Sequence, residues 1–368
     1  MKILFALSSL HAGGAERVAA TLTNAWVERG DEVTLVATFS GRGTCFYPIS
    51  EKARIVFLAD LVASTRRSFI NRLQRLVALR RLLMSERPNV VVSFLPDVNV
   101  ASVIASLGLR IPVIICERTD PLVSKKTIFL QLSTYFAYHH ARMLSVQTQA
   151  VATRMHSAFP RLKQLRVVPN PIPEELQKHP LSLPPRERRR LVAAGRLTED
   201  KQFDLLIAVF STLAPQWHKW DLVIYGEGQL HQQLERQIQT LGMTGRVTLA
   251  GVRKTLWEEM ARSDVFVMTS RLEGFPNVLL EAMALGLPCV VFDCPSGPNE
   301  ITCNGEDAML VTLNDLQGLT AALATVMGDA PLRIALGSRA RESVVRRFSL
   351  ATVLNKWDEL FKEIGAIA

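Results

Sequence analysis

The sequence predicts an α/β protein built from two doubly wound, Rossmann-like domains. Its 368 residues suit two domains, each large enough to bury a core. Hydrophobic residues make up 48% and charged residues 21% of the chain, which is ordinary globular composition. Apolar segments of strand length alternate with helical patterns in two series, and a proline-rich, charged stretch separates the series.

The first series predicts an N-terminal domain over residues 1–170. Residues 2–8 form an apolar run that we interpret as a buried strand and not as a signal peptide, because it ends in two serines and leads into a Gly-Gly loop. An amphipathic helix is predicted over 14–29. The later predicted strands are 32–38, 89–95, 111–116, 143–147 and 165–168. Nearly continuous apolar strands of this kind predict a parallel sheet covered on both faces.

Residues 171–190 predict an interdomain linker, since they contain many prolines and charges and no clear periodicity. The second series predicts a C-terminal domain over 191–349. Its predicted strands are 191–195, 221–226, 246–251, 264–270 and 288–293. The last helix, about 350–368, is compatible with packing on either domain.

The net charge of +9 favours anionic partners, which include phosphates, nucleic acid and acidic membrane surfaces. Aromatic residues are 7% of the chain and are not interleaved with the clustered arginines, which argues against nucleic acid. The five cysteines show no C-x-x-C spacing and are expected to be reduced thiols. No segment approaches the ~20 apolar residues of a membrane-spanning helix. We therefore expect a cytoplasmic protein, soluble or peripheral on the inner face of the plasma membrane.

Three loops after predicted strands have residues suited to a phosphate ligand, although each also fits an ordinary turn. Gly13 and Gly14 precede a helix whose N-terminus would favour an anion. Arg196 and Lys201 flank a loop in which two cations would suit a diphosphate leaving group. The third loop contains the closely spaced glycines Gly226 and Gly228.

A fourth loop, after the predicted strand 264–270, is the most informative. Glu273 lies in the loop and Asn277 marks the start of a helix. The backbone amides of Val278 and Leu279 would then face a phosphate. Glu281, in the second turn, is placed to accept hydrogen bonds from ribose hydroxyls. Each acidic residue alone also fits a surface charge, but the ordered set makes that interpretation weaker.

The segment EGFPNVLLE at 273–281, with its E-x7-E spacing, closely resembles the signature of the retaining glycosyltransferase family 4, which has the GT-B fold. GGAE, V-x-N-P-I at 168–172, GRL with a following lysine, G-x-G, and PSGPNEI at 295–301 occur in the order that this family has them. The resemblance spans nearly the whole chain. It is strongest to bacterial enzymes that build lipid-linked surface polysaccharides or glycans.

The resemblance implies two Rossmann-like domains facing a central cleft and a role for each matched residue. Arg196 and Lys201 would bind the donor diphosphate and stabilise its departure, Glu273 would contact the donor sugar, Glu281 would hold the ribose, and Gly14 would lie against the donor phosphate or the acceptor. The donor-binding set also includes Gly13, Gly226, Gly228, Arg253, Phe275, Asn277, Val278 and Leu279. The family needs no metal or other cofactor, which agrees with the lack of a D-x-D sequence.

Two positions depart from the family pattern. Arg118 stands where many members have a histidine, so we place it in the catalytic set with a role that the resemblance does not define. Ala308 replaces a common glycine, which we expect to change only a turn. The expected partners are a nucleotide-sugar donor, with uridine favoured over guanosine, and a glycan or polyprenyl-diphosphate-linked acceptor.

Residues 66–87 form a basic, helix-forming segment with seven arginines and one glutamate. An apolar face at helical spacing predicts packing on the sheet. We expect Arg72, Arg75 and Arg80 to face anionic lipid headgroups or the acceptor diphosphate.

Two other function classes fit the same fold: a non-catalytic nucleotide-sugar or carbohydrate-binding module, and a sugar-nucleotide epimerase. Loss of Glu273, Arg196 or Lys201 would favour the binding module, but all three are present. The GGAE loop and the E-x7-E segment favour transfer over epimerisation.

Overall fold

The computed structural model describes residues 1–41, 45–62, 69–120, 122, 127–160, 164–177 and 188–367. The chain forms two compact units. Unit 1 comprises Met1–Pro171 and Val353–Ala368, and unit 2 comprises Ile172–Thr352. Each unit is a parallel sheet flanked by helices.

In unit 1 the described residues form a seven-stranded parallel sheet in the order β3-β2-β1-β4-β5-β6-β7. The strands are β1 (Lys2–Leu7), β2 (Glu32–Ala37), β3 (Arg54–Phe57), β4 (Val90–Phe94), β5 (Val113–Cys116), β6 (Met143–Val146) and β7 (Leu165–Val167). The central strands β4, β5 and β6 are buried throughout, as expected for a sheet covered on both faces. The strand order reverses direction between β1 and β4, which defines the switch point where doubly wound sheets bind ligands.

The helices of unit 1 are α1 (Gly14–Glu28), α2 (Leu58–Leu61), α3 (Phe69–Glu86), α4 (Pro96–Ser106), α5 (Ile128–His140) and α6 (Gln149–Ala158). Local sequence explains where two of them begin. The hydroxyl oxygens of Thr127 and Thr148 accept hydrogen bonds from the third amide of α5 and of α6, respectively. Such caps satisfy amides that have no partner within the helix.

The last helix, α15 (Leu350–Glu363), packs in unit 1 through its aromatic residues. Trp357 meets Trp26 edge to face with ring centroids 5.6 Å apart, and Phe361 lies 5.8 Å from Trp26. An ion pair between Arg29 and Asp358, at 2.7 Å, joins α15 to the end of α1. The chain therefore returns to its first domain after completing the second.

In unit 2 the described residues form a six-stranded parallel sheet in the order β10-β9-β8-β11-β12-β13. The strands are β8 (Arg189–Ala194), β9 (Trp220–Tyr225), β10 (Val247–Gly251), β11 (Val265–Met268), β12 (Cys289–Asp293) and β13 (Met309–Thr312). The direction of strand order reverses between β8 and β11. The loops that follow these two strands therefore flank the switch point of unit 2.

The helices of unit 2 are α7 (Glu174–Gln177), a 3-10 turn (Glu199–Lys201), α8 (Phe203–Leu213), α9 (His231–Thr240), α10 (Leu256–Ala261), α11 (Asn277–Ala284), α12 (Pro298–Ile301), α13 (Leu316–Gly328) and α14 (Ala330–Phe348). The prediction of a linker from residue 171 onwards was wrong at its start. Ile172 and Leu176 are fully buried in the core of unit 2, because prolines around them do not prevent apolar side chains from packing. Residues 178–187 of the predicted linker lie outside the described residues.

Candidate active site

The loops after β8 and β11 bring Lys201 and Glu273 together. The Lys201 ammonium donates a hydrogen bond to Glu273 Oε1, although 72 positions separate the two residues in sequence. Both side chains are mostly buried. The pair therefore places one cation and one carboxylate at the switch point of unit 2, where a doubly wound sheet binds its ligand.

Hydrogen bonds between the two loops hold this pair in place. Thr269 Oγ1, just after β11, donates to the backbone oxygen of Lys201 at 3.0 Å. Arg271 donates through its backbone amide to the Asp200 carbonyl at 2.9 Å and through Nε to the Asp200 carboxylate at 3.0 Å. The Ser296 hydroxyl donates to the backbone oxygen of Glu273. The ion pair is thus supported from three neighbouring segments, a preorganised arrangement of the kind that catalysis requires.

Two glycines in the loop after β9 let it pass against the loop after β8. A Cβ atom on Gly226 would lie 1.8 Å from the carbonyl oxygen of Gly195, and Gly226 has a positive φ of +144°. A Cβ atom on Gly228 would lie 2.4 Å from the carbonyl oxygen of Leu197. The packing of loop on loop therefore accounts for both glycines, and their contact with a donor stays a prediction.

Helix α11 begins at Asn277, as the sequence predicts, directly after the Glu273 loop. The Leu279 amide donates to the Pro276 carbonyl at 3.1 Å, and its contact with a donor phosphate stays a prediction. The Val278 amide lies in the same first turn, and its contact with a donor phosphate likewise stays a prediction. The ring of Phe275 is buried edge to face against Phe348, 5.6 Å between centroids. The donor contact of Phe275 stays a prediction.

The carboxylate of Glu281 is almost completely buried, with 2% of the residue exposed. Trp257, on α10, donates from its indole Nε1 to Glu281 Oε2 at 3.0 Å. Sequence reasoning did not identify Trp257. A tryptophan in a short helix usually indicates core packing, so its type alone did not point to the site. Its position one turn after the exposed Arg253 was the available clue.

Arg196 and Arg253 are exposed, each in a loop at the carboxyl edge of the sheet of unit 2. Arg253 lies near the phenol of Tyr225, which donates to Glu259 at 3.0 Å. Burial, followed by this hydrogen bond, raises the pKa of Tyr225 to about 12, so the phenol stays protonated at neutral pH. The arrangement leaves two cations at this edge that an incoming anion can reach.

In unit 1, Gly13 caps the N-terminus of α1 and Gly14 is the first residue of that helix. The side chain of Glu16 folds back over Gly13, where a Cβ atom would lie 2.2 Å from the carboxylate. Ser9, after β1, donates its hydroxyl to Glu16 at 3.0 Å. The Glu16 carboxylate therefore occupies the space that a Cβ atom on Gly13 would take, and the contact of Gly13 and Gly14 with a ligand stays a prediction.

Arg118 is buried at the carboxyl end of β5. Its guanidinium lies 3.3 Å from the centroid of the Phe94 ring and donates to Asn170 Oδ1 at 2.7 Å. Burial lowers the pKa of Arg118 to about 10, which still leaves it charged at neutral pH. Arg118 therefore joins the end of β5 to the V-x-N-P-I segment. This contact gives the residue a structural role, and its predicted catalytic role is untested.

The expectation that Arg72, Arg75 and Arg80 all face lipid headgroups or the acceptor diphosphate was wrong for Arg75, and for Arg72 and Arg80 it stays a prediction. Arg75 is buried, 4% exposed, with its guanidinium 5.6 Å from the centroid of the Phe39 ring. Arg80 is half-buried and donates to the carbonyls of Ala105 and Leu107 at 2.9 and 2.8 Å. Of the three arginines, Arg72 is exposed. Helical periodicity could not reveal which arc of α3 faces the sheet.

Two family models match consecutive parts of the chain. The model of Glycosyltransferase Family 4 matches residues 12–176, and that of Glycosyl transferases group 1 matches residues 176–343. The chain belongs to glycosyltransferase family 4. The matches cover both units, and the second includes Lys201, Glu273 and Glu281.

Several known proteins resemble the chain along its whole length. The chain is 26% identical, over 99% of both proteins, to a Campylobacter jejuni N-acetylgalactosaminyltransferase. The name of that enzyme specifies an undecaprenol-diphosphate-linked acceptor. The chain is 29% identical over 99% of its length to an exopolysaccharide phosphotransferase of Streptomyces coelicolor, but spans only 41% of that protein. The Anabaena protein HepE, solved in complex with UDP, superposes with a TM-score of 0.79 at 21% identity, covering 99% of this chain and all of HepE. These neighbours confirm the GT-B fold.

Among the described residues, no single helix has the length and apolar composition to cross a membrane, although α13 and α14 pass that test together across a 103° bend. No group of three or more His, Cys, Asp or Glu in the same residues is arranged to hold a metal ion.

Proposed function

We propose that this glycosyltransferase moves a hexose or N-acetylhexosamine from a UDP-sugar to a glycan acceptor on polyprenyl diphosphate, with retention of the anomeric configuration. The product would serve the assembly of bacterial surface polysaccharides or glycans at the inner face of the plasma membrane. The observation that carries the proposal is the Lys201–Glu273 pair at the switch point of unit 2.

The chemistry of transfer assigns complementary tasks to this pair. Negative charge builds on the donor diphosphate as the bond to the anomeric carbon breaks. Lys201 and the exposed Arg196 can stabilise that charge. Glu273 can accept hydrogen bonds from sugar hydroxyls through Oε2, the carboxylate oxygen that Lys201 does not contact. Following the family, we expect the acceptor hydroxyl to attack on the face from which the diphosphate leaves and to give its proton to that diphosphate.

Two observations support a UDP-sugar without a metal ion. HepE, with the same fold, binds UDP. In this chain, cationic side chains occupy the loops where a metal-dependent enzyme would use a divalent ion to neutralise the diphosphate. The identity of the acceptor rests on the Campylobacter relative, whose name specifies a polyprenyl-diphosphate glycan.

Binding can be tested by thermal shift with UDP-, GDP- and ADP-sugars, with and without EDTA. A ligand that binds only the folded protein raises its melting temperature. We expect stabilisation by UDP-sugars that EDTA does not reduce. A shift confined to guanosine or adenosine nucleotides would overturn the choice of uridine, and a shift abolished by EDTA would overturn metal independence.

Catalysis can be tested by incubating the protein with radiolabelled UDP-sugars and a polyprenyl-diphosphate glycan. Nuclear magnetic resonance of the product would give the anomeric configuration. An α-linked product from an α-linked donor is expected, and inversion would overturn the proposed mechanism. Tight donor binding without any transfer would favour the non-catalytic binding module.

A further inference from the structure

The positive charge of the chain belongs entirely to unit 1. Lys and Arg number 24 against 13 Asp and Glu in unit 1, a net +11, whereas unit 2 has 19 against 21, a net −2. One segment of unit 1 is extreme in this respect. Between Asp120 and Glu174 there is no acidic residue and there are seven Lys and Arg. The helix α5 lies within this segment.

Helix α5 exposes a broad apolar face instead of burying it. Ile128, Phe129 and Leu132 are 77%, 76% and 66% exposed, and Tyr135 and Phe136 continue the same face. Positions i, i+1, i+4, i+7 and i+8 cover one side of a helix. The opposite side packs into unit 1 through Thr134, Ala137 and Tyr138. The helix is therefore packed on one side and exposes its apolar residues on the other.

Along the apolar face of α5, exposure decreases from the first turn towards the last, so the apolar residues at the start of the helix protrude most. The chain just before it contains Lys125 and Lys126, which lie outside the described residues, and the exposed Arg142 follows its end. An exposed apolar face with lysine or arginine at both ends matches an anionic lipid surface in composition.

Helix α3 adds apolar surface of the same kind. Ile70, Leu73 and Val77 are exposed, and the exposed Arg81 lies on the same side of the helix. The helix α4 packs against both α3 and α5. Because helices that cross between parallel strands run opposite to those strands, α3 and α5 both begin at the carboxyl edge of the sheet of unit 1. Their most exposed turns are therefore at the same edge.

We propose that the apolar face of α5, assisted by that of α3, inserts into the interfacial region of an anionic bilayer. Phe129, Tyr135 and Phe136 suit this depth, since aromatic rings favour the boundary between headgroups and acyl chains. This proposal rests on the proposed function in that the acceptor is lipid-linked. It replaces the arginine face of α3 as the membrane contact, because Arg75 is buried and Arg80 binds backbone carbonyls.

Vesicle flotation of the full chain tests the proposal. The wild type is expected to bind phosphatidylcholine vesicles that contain phosphatidylglycerol and to bind pure phosphatidylcholine vesicles more weakly. The double variant Phe129→Ser/Leu132→Ser should bind the anionic vesicles at least about tenfold more weakly. The reason is that two large apolar side chains are no longer transferred from water into the bilayer. The matched control is Ile334→Ser/Leu316→Ser, which removes exposed apolar side chains from unit 2 and should bind like the wild type.

Three results would overturn the proposal: no binding of the wild type to anionic vesicles, equal binding by the α5 variant, or equal loss in the unit 2 control. A dimer that the α5 substitutions convert to a monomer in analytical ultracentrifugation would assign this face to a second copy of the chain and also overturn it. Measuring sugar transfer to a short, water-soluble acceptor distinguishes a failure of this proposal from a failure of the proposed function. The α5 variant should keep that activity, whereas an inactive wild type that still binds vesicles would contradict the proposed function alone.

Discussion

The indole of Trp257 donates a 3.0 Å hydrogen bond to the carboxylate of Glu281, the residue that we expect to bind the donor ribose. Because Glu281 is almost completely buried, this donor fixes the carboxylate in one orientation. The two residues lie on different helices, α10 and α11. We therefore expect Trp257 to position Glu281 for the donor without contacting the donor itself.

Replacing Trp257 with Phe removes this hydrogen bond and keeps an aromatic ring. A hydrogen bond to a charged group contributes about 1.5–3 kcal/mol, so the Kd for UDP should rise about tenfold or more, with kcat nearly unchanged. Discrimination between UDP and 2′-deoxy-UDP should also fall, because a loosely held carboxylate recognises the ribose less well. Calorimetric titration of both nucleotides measures these effects. Weaker binding with unchanged discrimination would assign Trp257 a packing role.

Replacing Lys201 with Met removes the cation of the central pair. Loss of one preorganised group that stabilises transition-state charge typically lowers kcat about 10²–10³-fold. Glu273→Gln should also lower kcat, since it removes the carboxylate and leaves Lys201 without its partner. Steady-state kinetics against UDP-sugar measure both variants. The exposed Lys219 provides the control, and Lys219→Met should keep wild-type kcat. A rise in KM alone for Lys201→Met would contradict the assigned role.

The meeting of Lys201 with Glu273 illustrates what the sequence reveals. Both follow strands of a parallel sheet, so both had to lie at its carboxyl edge, and the predicted strands 191–195 and 264–270 correspond to β8 and β11. Neither β3 nor β13 was predicted. Each is an edge strand of four residues, too short to show a pattern, and forms by pairing with one neighbour. The buried side of α3 likewise depends on tertiary packing.

The pairing of Arg118 with Asn170 makes a prediction that separates structural and catalytic roles. Arg118→Met should lower the free energy of unfolding of unit 1, because Asn170 loses its 2.7 Å partner inside the protein. If the role of Arg118 is structural, kcat measured well below the melting temperature should stay within about twofold, since the site in unit 2 is unchanged. Calorimetric unfolding and kinetics on the same sample give both values. A large loss of kcat in a folded variant would instead support the predicted catalytic role of Arg118.

The cysteines should react in the order of their exposure. Cys45 is exposed and Cys303 half-buried, whereas Cys116, Cys289 and Cys294 are buried. Burial raises the pKa of Cys116 and of Cys294 to about 12. Iodoacetamide attacks the thiolate, so at pH 8.5 it should modify Cys45 first, Cys303 next, and the other three only after denaturation. Mass spectrometry of peptides measures the order, and Cys45→Ser should remove the fast phase.

The same pKa shifts set a direction for stability at high pH. A thiol whose pKa is raised in the folded state keeps a proton that the unfolded chain loses above its ordinary pKa of 9.0. Stability from Cys116 and Cys294 is thus fully present below pH 9 and decreases as pH rises from 9 towards 12. Replacing Cys294 with Ala should make the fall in Tm over this interval less steep, although it lowers Tm at neutral pH by leaving a small cavity. A slope equal to that of the wild type would show that Cys294 ionises as readily in the folded protein as in the unfolded chain.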